Sequence, residues 1–386
     1  MSLEKRIKRH LIGRRHDYFA VTLPGFERLC ADELTRLSDT IRITGIAIGG
    51  VSFSGRLTDV YRTNLQVRTA GRLLMRLARF KATNFQQLEK QIQKIPWELY
   101  LPWGTVPVFH ITTSHSRLYH SGAIAERIGE NISAQWSEQG ATPARSENQA
   151  LFIRLQDDGV TVSLDCSGAP LYRRGIKTHA ARAPLRETTA AGILLSAGYR
   201  RDRPLVDPMC GAGTFSLEAA MMAKKIPPGL FRDFAFMQWP AFRPRQWAYL
   251  KKSASEKTKS FPRTVIWASD ADGRAVAGLK DCVSDYGFED AVSVFQADFF
   301  RLRPEKISAQ KGLVVLNPPY GRRLSAEGDG ENAYKEIAAK LKKDFKGWKA
   351  ALLVPKEGLA RQLGLPLKSV SLSHGGLQLT LLTGRI

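Results

Sequence analysis

The sequence has few cysteines and no long apolar run. Its 386 residues include only four cysteines, and no two of them form a CxxC pair, which argues against a zinc ribbon and against a disulfide framework. No stretch approaches the roughly 18 apolar residues of a membrane span, and the first residues lack the apolar core of a signal peptide. We therefore expect a cytoplasmic protein with neither a bound metal nor a membrane partner.

Acidic residues are also scarce relative to basic ones. Lysine and arginine number 58 against 36 for aspartate and glutamate, so the net charge is +22. Such an excess matches a polyanionic partner such as nucleic acid; an anionic membrane surface or a merely basic soluble protein are the alternatives. With domains of ~150 residues, a chain of this length predicts two or three domains, and its 43% hydrophobic content can supply their cores.

One stretch of the chain reads as strand, glycine turn and helix. A short apolar run ends in Asp207, Gly211 and Gly213 form the turn, and Thr214 begins a helix-like segment rich in Leu, Ala and Met. Glycines at such a turn allow positive φ and let a ligand approach without a Cβ in the way. The loop matches neither GxGxxG nor GxxxxGK[ST], which disfavours NAD and ATP as ligands.

Two later apolar runs end in an acidic residue. Asp270 follows the run 264–268, and Asp298 follows the run 292–296. An acid at a strand tip can bind ribose hydroxyls. The alternative for Asp270 is an ordinary helix N-cap.

A continuous apolar strand, Leu313–Leu316, runs directly into Asn317, Pro318, Pro319 and Tyr320. Two prolines end the strand, because proline cannot donate to a sheet ladder. An exocyclic amine on a base is a poor nucleophile, and oxygens of Asn317 and Pro318 could accept its hydrogen bonds and orient its lone pair. Tyr320 offers a face on which a flipped-out base can stack. A strand-ending turn with a surface tyrosine is the alternative.

These motifs, in chain order, resemble a known family. The segments DPMCGAGTF (207–215), ASDADGRAV (268–276), QADFF (296–300) and LNPPYGRRL (316–324) are similar to motifs of class I S-adenosylmethionine-dependent methyltransferases that act on amino groups of bases. The segment 181–194 resembles the extra motif that such enzymes carry before the glycine strand. More closely, the chain from Tyr18 onward resembles the THUMP-containing RNA guanine-N(2) methyltransferases, and in particular the 2-amino-methylating half of the bacterial 23S rRNA enzymes (RlmL-like).

The resemblance implies an α/β fold in which a C-terminal class I, Rossmann-like, seven-stranded methyltransferase domain follows an α+β ferredoxin-like and THUMP RNA-binding region. It implies S-adenosyl-L-methionine as cofactor and a catalytic role for Asn317, Pro318 and Tyr320. The residues that it implies for cofactor binding are Thr188, Asp207, Pro208, Met209, Cys210, Gly211, Gly213, Thr214, Asp270, Asp298 and Asn317.

We expect four regions along the chain: a flexible basic arm over 1–16, a ferredoxin-like region over 17–56, a THUMP domain over 57–166 and the methyltransferase domain over 167–386. The strand and helix pattern after Tyr18, β-α-β-β-α, independently favours a ferredoxin-like unit. An insertion over 224–262 mixes aromatic and basic residues. Its aromatics could stack on RNA, although packing onto the sheet is the favoured prediction.

Two groups of N-terminal residues are candidates for RNA binding. Arg72 and Arg76 lie in a segment, 72–81, that suits a helix or a charged edge strand, and whose alternative role is a solvated face. Ser116, Arg117 and His120 lie at a strand-to-helix junction that suits phosphate capture; capping and packing are the alternative there.

The predicted function is therefore methylation of the 2-amino group of a guanine in RNA, with 23S rRNA as the first substrate. The alternatives are a tRNA guanine-N(2) methyltransferase and, from another class, a non-catalytic RNA-binding or ribosome-assembly protein. A DNA adenine methyltransferase fits less well, because such enzymes carry the NPPY motif without a THUMP-like N-terminal half. The expected partner is RNA, either free or in a ribosomal assembly intermediate.

Overall fold

The computed structural model describes residues 1–176, 185–261, 264–318, 329–374 and 377–386. These residues form two compact units, and each unit is assembled from three separate stretches of chain. The N-terminal unit contains Met1–Thr22, Cys30–Leu171 and Arg232–Lys252, and the C-terminal unit contains Leu23–Leu29, Tyr172–Phe231 and Ser253–Ile386. No described helix is long and apolar enough to cross a membrane.

The N-terminal unit is built on a seven-stranded sheet of order β2-β3-β1-β4-β7-β6-β5. Only β5 and β6 pair in parallel among the described strands of this sheet. Its elements in chain order are α1 (Leu3–Ile7), β1 (His16–Thr22), α2 (Glu27–Leu37, which begins in the other unit's stretch), β2 (Arg42–Ala47), β3 (Gly50–Gly55), α3 (Leu57–Gln66), β4 (Ala70–Lys81), α4 (Phe85–Ile92), β5 (Thr105–Ser114), α5 (Ser121–Glu138), β6 (Ala144–Gln156) and β7 (Gly159–Asp165).

Strand β4 lies inside the sheet and not at its edge. It pairs with β1 on one side and with β7 on the other, so the predictions of an edge strand and of a helix for 72–81 are both wrong. The arginines are compatible with an interior strand because their aliphatic stems cover the sheet while the guanidinium groups reach its open face. One continuous sheet therefore crosses the boundary that we expected between residues 56 and 57.

The first residues are helical and partly buried, whereas the sequence predicted a flexible arm. Helix α1 is capped by Ser2, whose Oγ accepts a hydrogen bond from the Lys5 backbone N–H at 3.4 Å, and a π-helical turn, Lys8–Ile12, continues it. Ile7 and Leu11 are both buried. Their i, i+4 spacing places the two side chains on one helix face. This small apolar face is buried and holds the segment against the rest of the unit.

The C-terminal unit contains the second seven-stranded sheet, of order β10-β9-β8-β11-β12-β14-β13. Strands β8 to β12 run parallel to one another, and β14 runs antiparallel to both of its neighbours, β12 and β13. This order confirms the predicted class I methyltransferase fold. Its elements are α6 (Glu187–Ser196), β8 (Leu205–Asp207), α7 (Thr214–Ala223), α8 (Pro244–Ser255, which begins in the other unit's stretch), β9 (Ile266–Asp270), α9 (Gly273–Asp285), β10 (Val292–Gln296), α10 (Pro304–Ile307), β11 (Leu313–Leu316), α11 (Asp329–Asp344), β12 (Lys349–Val354), α12 (Glu357–Gln362), β13 (Lys368–His374) and β14 (Leu377–Arg385).

The aromatic insertion packs within the N-terminal unit. Phe236 stacks on Tyr61 of α3 with ring centroids 4.5 Å apart, and Phe242 and Trp247 contact the same tyrosine edge-on. Phe234 lies parallel to Phe236 at 5.3 Å. The aromatics therefore pack within the protein, as the favoured prediction has it, but this cluster contacts helix α3 of the N-terminal unit, and Phe231 of the same insertion is exposed.

Candidate active site

Three candidate residues lie at one edge of the parallel sheet. Asp207 ends β8 and Asp270 ends β9, while Asn317 follows directly after β11. Because β8 pairs in parallel with β9 on one side and β11 on the other, the carboxyl ends of the three strands lie side by side. Ligands of open parallel sheets bind at this edge.

The two loop glycines are needed for different reasons. Gly211 and Gly213 both have positive φ, at 52° and 77°, which a residue with a Cβ rarely adopts. A Cβ on Gly213 would overlap the Leu279 side chain, whereas a Cβ on Gly211 would meet nothing within 4 Å. Gly213 therefore allows close packing on α9, and Gly211 keeps the space before the loop open for a ligand.

Asp270 holds the glycine loop in place. Its Oδ2 accepts a hydrogen bond from the Gly211 backbone N–H at 2.9 Å, and its Oδ1 accepts one from the Asp272 N–H at 3.0 Å. The N-cap of α9 is Asp272, whose Oδ1 accepts from Arg274 N–H at 2.9 Å. The capping alternative for Asp270 is therefore wrong, while its role at a ribose remains a prediction.

Asp207 is a buried carboxylate beside the loop. It is 1% exposed, and its Oδ2 accepts a hydrogen bond from the Ser216 hydroxyl at 2.7 Å. Its Oδ1 is buried and has no partner within the described part of the chain. Burial raises the pKa of Asp207 to about 7, the Ser216 hydrogen bond opposes this shift, and the nearby Asp270 charge adds to it. A substantial fraction of Asp207 is therefore protonated near neutral pH.

Cys210 is a packing residue within the loop. Its backbone N–H donates to the Ser269 carbonyl at 3.0 Å. Burial raises the pKa of its thiol well above the usual value, and the charges of Asp207 and Asp270 add to the effect. Because the thiolate is the nucleophilic form, this geometry gives Cys210 no nucleophilic role. Of its neighbours, Pro208 is buried and Met209 is half-buried.

Asn317 presents an unsatisfied oxygen at the sheet edge. All four residues of β11 before it are buried. Asn317 Oδ1 is itself buried and has no hydrogen-bond partner among the residues that the structure describes. A buried amide oxygen without a partner costs about 1–3 kcal/mol, so the site is arranged to accept a donor. Pro318 is buried, and Pro319 and Tyr320 lie outside the described residues.

The three remaining cofactor candidates differ in burial. Thr188 is 8% exposed and lies in the first turn of α6, which packs against α7. Asp298 is exposed, and its Oδ1 accepts a hydrogen bond from Phe300 N–H at 2.9 Å. Thr214 is the first residue of α7. A cofactor role for these three residues stays a prediction.

A buried ion pair that no sequence motif indicated lies in the same unit as the glycine loop. Arg174 Nε donates to Glu218 Oε2 of α7 at 3.2 Å, with both side chains at most 3% exposed. Glu187 in α6 lies close to this pair: burial raises its pKa to about 7, Arg174 lowers it and Glu218 raises it. Glu218 follows the glycine loop within an Ala- and Met-rich helix, which was the only sequence signal of a buried charge.

The predicted RNA-binding residues of the N-terminal unit are largely engaged with their own fold. Arg72 forms an ion pair with Asp165 and lies 5.0 Å from the Phe152 ring centroid. Arg76 is the exception, because it has no acidic partner among the described residues.

The junction between β5 and α5 is also held by local contacts. The Arg117 N–H donates to Asp158 Oδ1 at 2.8 Å, and the Ser116 Oγ accepts from the Asp158 N–H at 3.1 Å. His120 is the N-cap of α5, where its Nδ1 accepts from Ala123 N–H at 3.1 Å. These contacts match the capping and packing alternative, and an RNA role for the three residues stays a prediction.

The residues at the sheet edge fit S-adenosylmethionine. Open space before Gly211 provides room for the cofactor, and the carboxylate at the tip of β9 provides an acceptor for its hydroxyl groups. Among the described residues, no three His, Cys, Asp or Glu side chains are grouped as metal ligands would be.

The strand order and the glycine loop together define a class I, Rossmann-like methyltransferase. Residues 174–375 match the family described as the RMKL-like methyltransferase domain, and residues 17–74 match the RlmL ferredoxin-like domain. The chain belongs to the RMKL-like methyltransferase family. This membership confirms the predicted family and its cofactor, S-adenosylmethionine.

Similar proteins cover nearly the whole chain. A Synechocystis protein named "Putative RNA methyltransferase slr0064" is 31% identical over 95% of each chain. A Methylococcus capsulatus protein named "Ribosomal RNA large subunit methyltransferase K/L" is 34% identical over 90% of this chain and 48% of its own length. The chain therefore spans about half the length of the K/L relatives that it matches.

A solved structure with similar coverage contains a cofactor product. The structure described as "SMU.472, a putative methyltransferase complexed with SAH" superposes with a TM-score of 0.85 at 26% identity. The match covers 97% of this chain and 99% of that chain.

Proposed function

We propose that this protein transfers a methyl group from S-adenosylmethionine to the 2-amino group of a guanine in large-subunit ribosomal RNA. The observation that carries the proposal is the buried Asn317 Oδ1, which has no partner in the described chain and lies at the same sheet edge as the glycine loop. An acceptor at that point suits an amine donor.

The proposed chemistry requires positioning and no strong base. The lone pair of an exocyclic amine is delocalised into the ring, so hydrogen bonds from the amine to Asn317 Oδ1 and the Pro318 carbonyl hold it in the reactive orientation. S-adenosylmethionine supplies an electrophilic methyl group on a sulfonium. The amine nitrogen forms the new N–C bond as the S–C bond breaks, and the proton of the resulting ammonium leaves to solvent.

Two lines of support favour RNA, and rRNA in particular. The net charge of +22 suits a polyanionic substrate. The similar proteins carry names that specify RNA or large-subunit ribosomal RNA methyltransferases. The test of the proposal therefore identifies the methylated base directly.

The test uses RNA from a strain in which the gene has been deleted. Large-subunit rRNA, tRNA and assembling large-subunit particles are incubated separately with the protein and with methyl-labelled S-adenosylmethionine, and nucleosides are then identified by mass spectrometry. We expect labelled N(2)-methylguanosine in the large-subunit rRNA, either free or in the particle.

A variant of Asn317 removes only the proposed amine acceptor. Asn317→Ala should lower the yield of labelled nucleoside by about 10²–10³-fold, while binding of S-adenosylmethionine is retained. Label in tRNA alone would assign the substrate to tRNA, and label on adenine would contradict the proposed base. Cofactor binding with no transfer to any of the three fractions would support a non-catalytic RNA-binding role.

A further inference from the structure

The N-terminal unit contains a groove that none of the motifs identifies. It has a volume of about 590 Å³ and its lining includes Phe19, Arg76, His110, Phe152 and Arg154. This volume lies within the range of roughly 300–1,000 Å³ that is usual for small-ligand sites. None of the described residues that line it is acidic.

The groove residues come together because of strand register. Arg76 on β4 pairs with Ser163 on β7, Ser163 pairs with Phe152 on β6, and Phe152 pairs with His110 on β5. Paired residues of neighbouring strands point to the same face of a sheet. Arg154, two residues after Phe152 on the same strand, points to that face as well.

Arg76 is a cation without a counter-ion in this groove. Its Nη1 donates to Ser163 Oγ at 2.8 Å and its guanidinium lies 4.5 Å from the Phe19 ring centroid. Its Nε is buried and has no acceptor in the described part of the chain. Burial, together with the positive charges of Arg79 and Arg154, lowers the pKa of Arg76 to about 10. Three neighbouring cations and a free buried donor favour an anion.

The groove also presents aromatic surface beside these cations. His110 is exposed and stacks on Phe152 with ring centroids 4.5 Å apart and planes at 25°. Burial and the Arg72 charge lower the pKa of His110, which favours the neutral imidazole. Unstacked bases of RNA are bound on such rings, with the phosphates neutralised by nearby arginines.

We infer that this groove binds one unstacked nucleotide of the RNA, with its phosphate at Arg76 and Arg154 and its base against His110. The inference rests on the proposed function only in taking RNA as the substrate. It concerns recognition, whereas the transfer reaction concerns the sheet edge around Asn317. The combination of an acid-free lining with aromatic rings favours a nucleotide over an apolar or a cationic ligand.

The first test measures affinity for RNA with the full chain. A fluorescent single-stranded 12-nucleotide RNA of mixed sequence is titrated by anisotropy at several salt concentrations. Arg154→Ala removes an exposed cation, and Arg76→Met removes a charge while keeping the stem that covers Phe19. We expect each variant to bind the RNA about three- to tenfold more weakly. The slope of the logarithm of affinity against the logarithm of salt concentration should become smaller by about 1 in each variant. The matched control, Arg42→Ala, removes an exposed arginine from β2 at the opposite edge of the same sheet and should change neither value.

The second test locates the nucleotide by cross-linking. The same RNA carrying 4-thiouridine is irradiated with the protein, and we expect cross-links in the peptides that contain His110 or Phe152. Cross-links confined to other peptides, together with unchanged affinity in both arginine variants, would overturn the inference.

The two proposals can fail separately. Groove cross-links in a protein that methylates no RNA would contradict the proposed function and support the groove. Normal N(2)-methylguanosine formation with an unchanged KM in the Arg76→Met, Arg154→Ala double variant would contradict the groove and leave the function standing.

Discussion

In the C-terminal sheet, strands β8 to β12 are short and parallel, and the candidate active site lies where these strands end. In the N-terminal sheet most strands are longer and antiparallel, and the proposed RNA-binding groove lies along one face of the strand interiors. Both sheets have seven strands. The difference follows from how the strands are connected. Parallel strands need helical crossovers, which cover both faces of the sheet and leave the carboxyl ends of the strands free. An antiparallel sheet can leave one face open.

This contrast also explains which residues the sequence reveals. Residues at a strand end and in the loop that follows are contiguous, so Asp207 to Gly213 and Asn317 to Tyr320 read as motifs. Residues on a sheet face come singly from several strands, and nothing in the sequence states which strands are neighbours.

The largest expected effect tests whether the aromatic insertion stabilises the N-terminal sheet. Phe236 is fully buried against Tyr61, so Phe236→Ala should lower the stability of the N-terminal unit by about 3–5 kcal/mol. Hydrogen exchange read by mass spectrometry should show lost protection in α3 and unchanged protection in β8 to β11. Phe288→Ala, a control at an equally buried site in the C-terminal unit, should show the reverse pattern. Equal losses in both units would contradict the division.

The second prediction concerns the charge at the tip of β8. The pKa of Asp207 is about 7 in the folded chain against its ordinary 3.8, so between these pH values the folded state binds more protons than the unfolded state. Stability should therefore fall as the pH rises from about 4 to 7, by at most about 4 kcal/mol. Asp207→Asn keeps an acceptor for Ser216 and should remove this part of the pH dependence. Urea unfolding of both proteins at pH 5 and pH 8 measures it, and parallel pH profiles would contradict the raised pKa.

The third prediction isolates the end of β11. Asn317→Ala should lower the rate of methyl transfer by about 10²–10³-fold, because removing one preorganised polar contact from a reaction centre typically costs this much. Calorimetry should show nearly unchanged affinity for S-adenosylmethionine. Asn148→Ala, an exposed position in the N-terminal unit, is the matched control and should behave as the unmodified protein does. Loss of cofactor binding in Asn317→Ala would assign the residue to the cofactor instead.

The smallest expected effect is the difference between the two loop glycines. Both alanine variants bear the cost of a positive φ, about 1–2 kcal/mol, and Gly213→Ala adds an overlap with Leu279. We expect Gly213→Ala to be less stable than Gly211→Ala by about 1–3 kcal/mol in thermal or urea unfolding. Gly211→Ala should instead weaken cofactor binding more than its loss of stability explains. Equal stabilities would mean that α9 moves away from the loop.

Much of the C-terminal fold could be predicted, because β8 to β11 are short apolar runs, each followed by a loop residue to which the sequence gives a possible role. The interior position of β4 could not be predicted, since alternating arginines and apolar residues suit an edge strand equally well in sequence. The burial of Ile7 and Leu11 was missed because basic neighbours outnumber them. The Arg174–Glu218 pair was missed for a related reason: two charged residues 44 positions apart carry no pattern until the fold pairs them.

The interleaving of the two units affects how the chain can fold during synthesis. The N-terminal unit needs Arg232–Lys252 for its aromatic cluster, and the C-terminal unit uses Leu23–Leu29. Domains usually fold in order as the chain emerges, but here residues 1–171 emerge without the segment that covers Tyr61. That apolar surface stays exposed until the ribosome has added residues far along the chain. We expect late completion of the first unit to leave the nascent chain vulnerable to aggregation over this interval, and the N-terminal unit is completed only after the glycine loop has been synthesised.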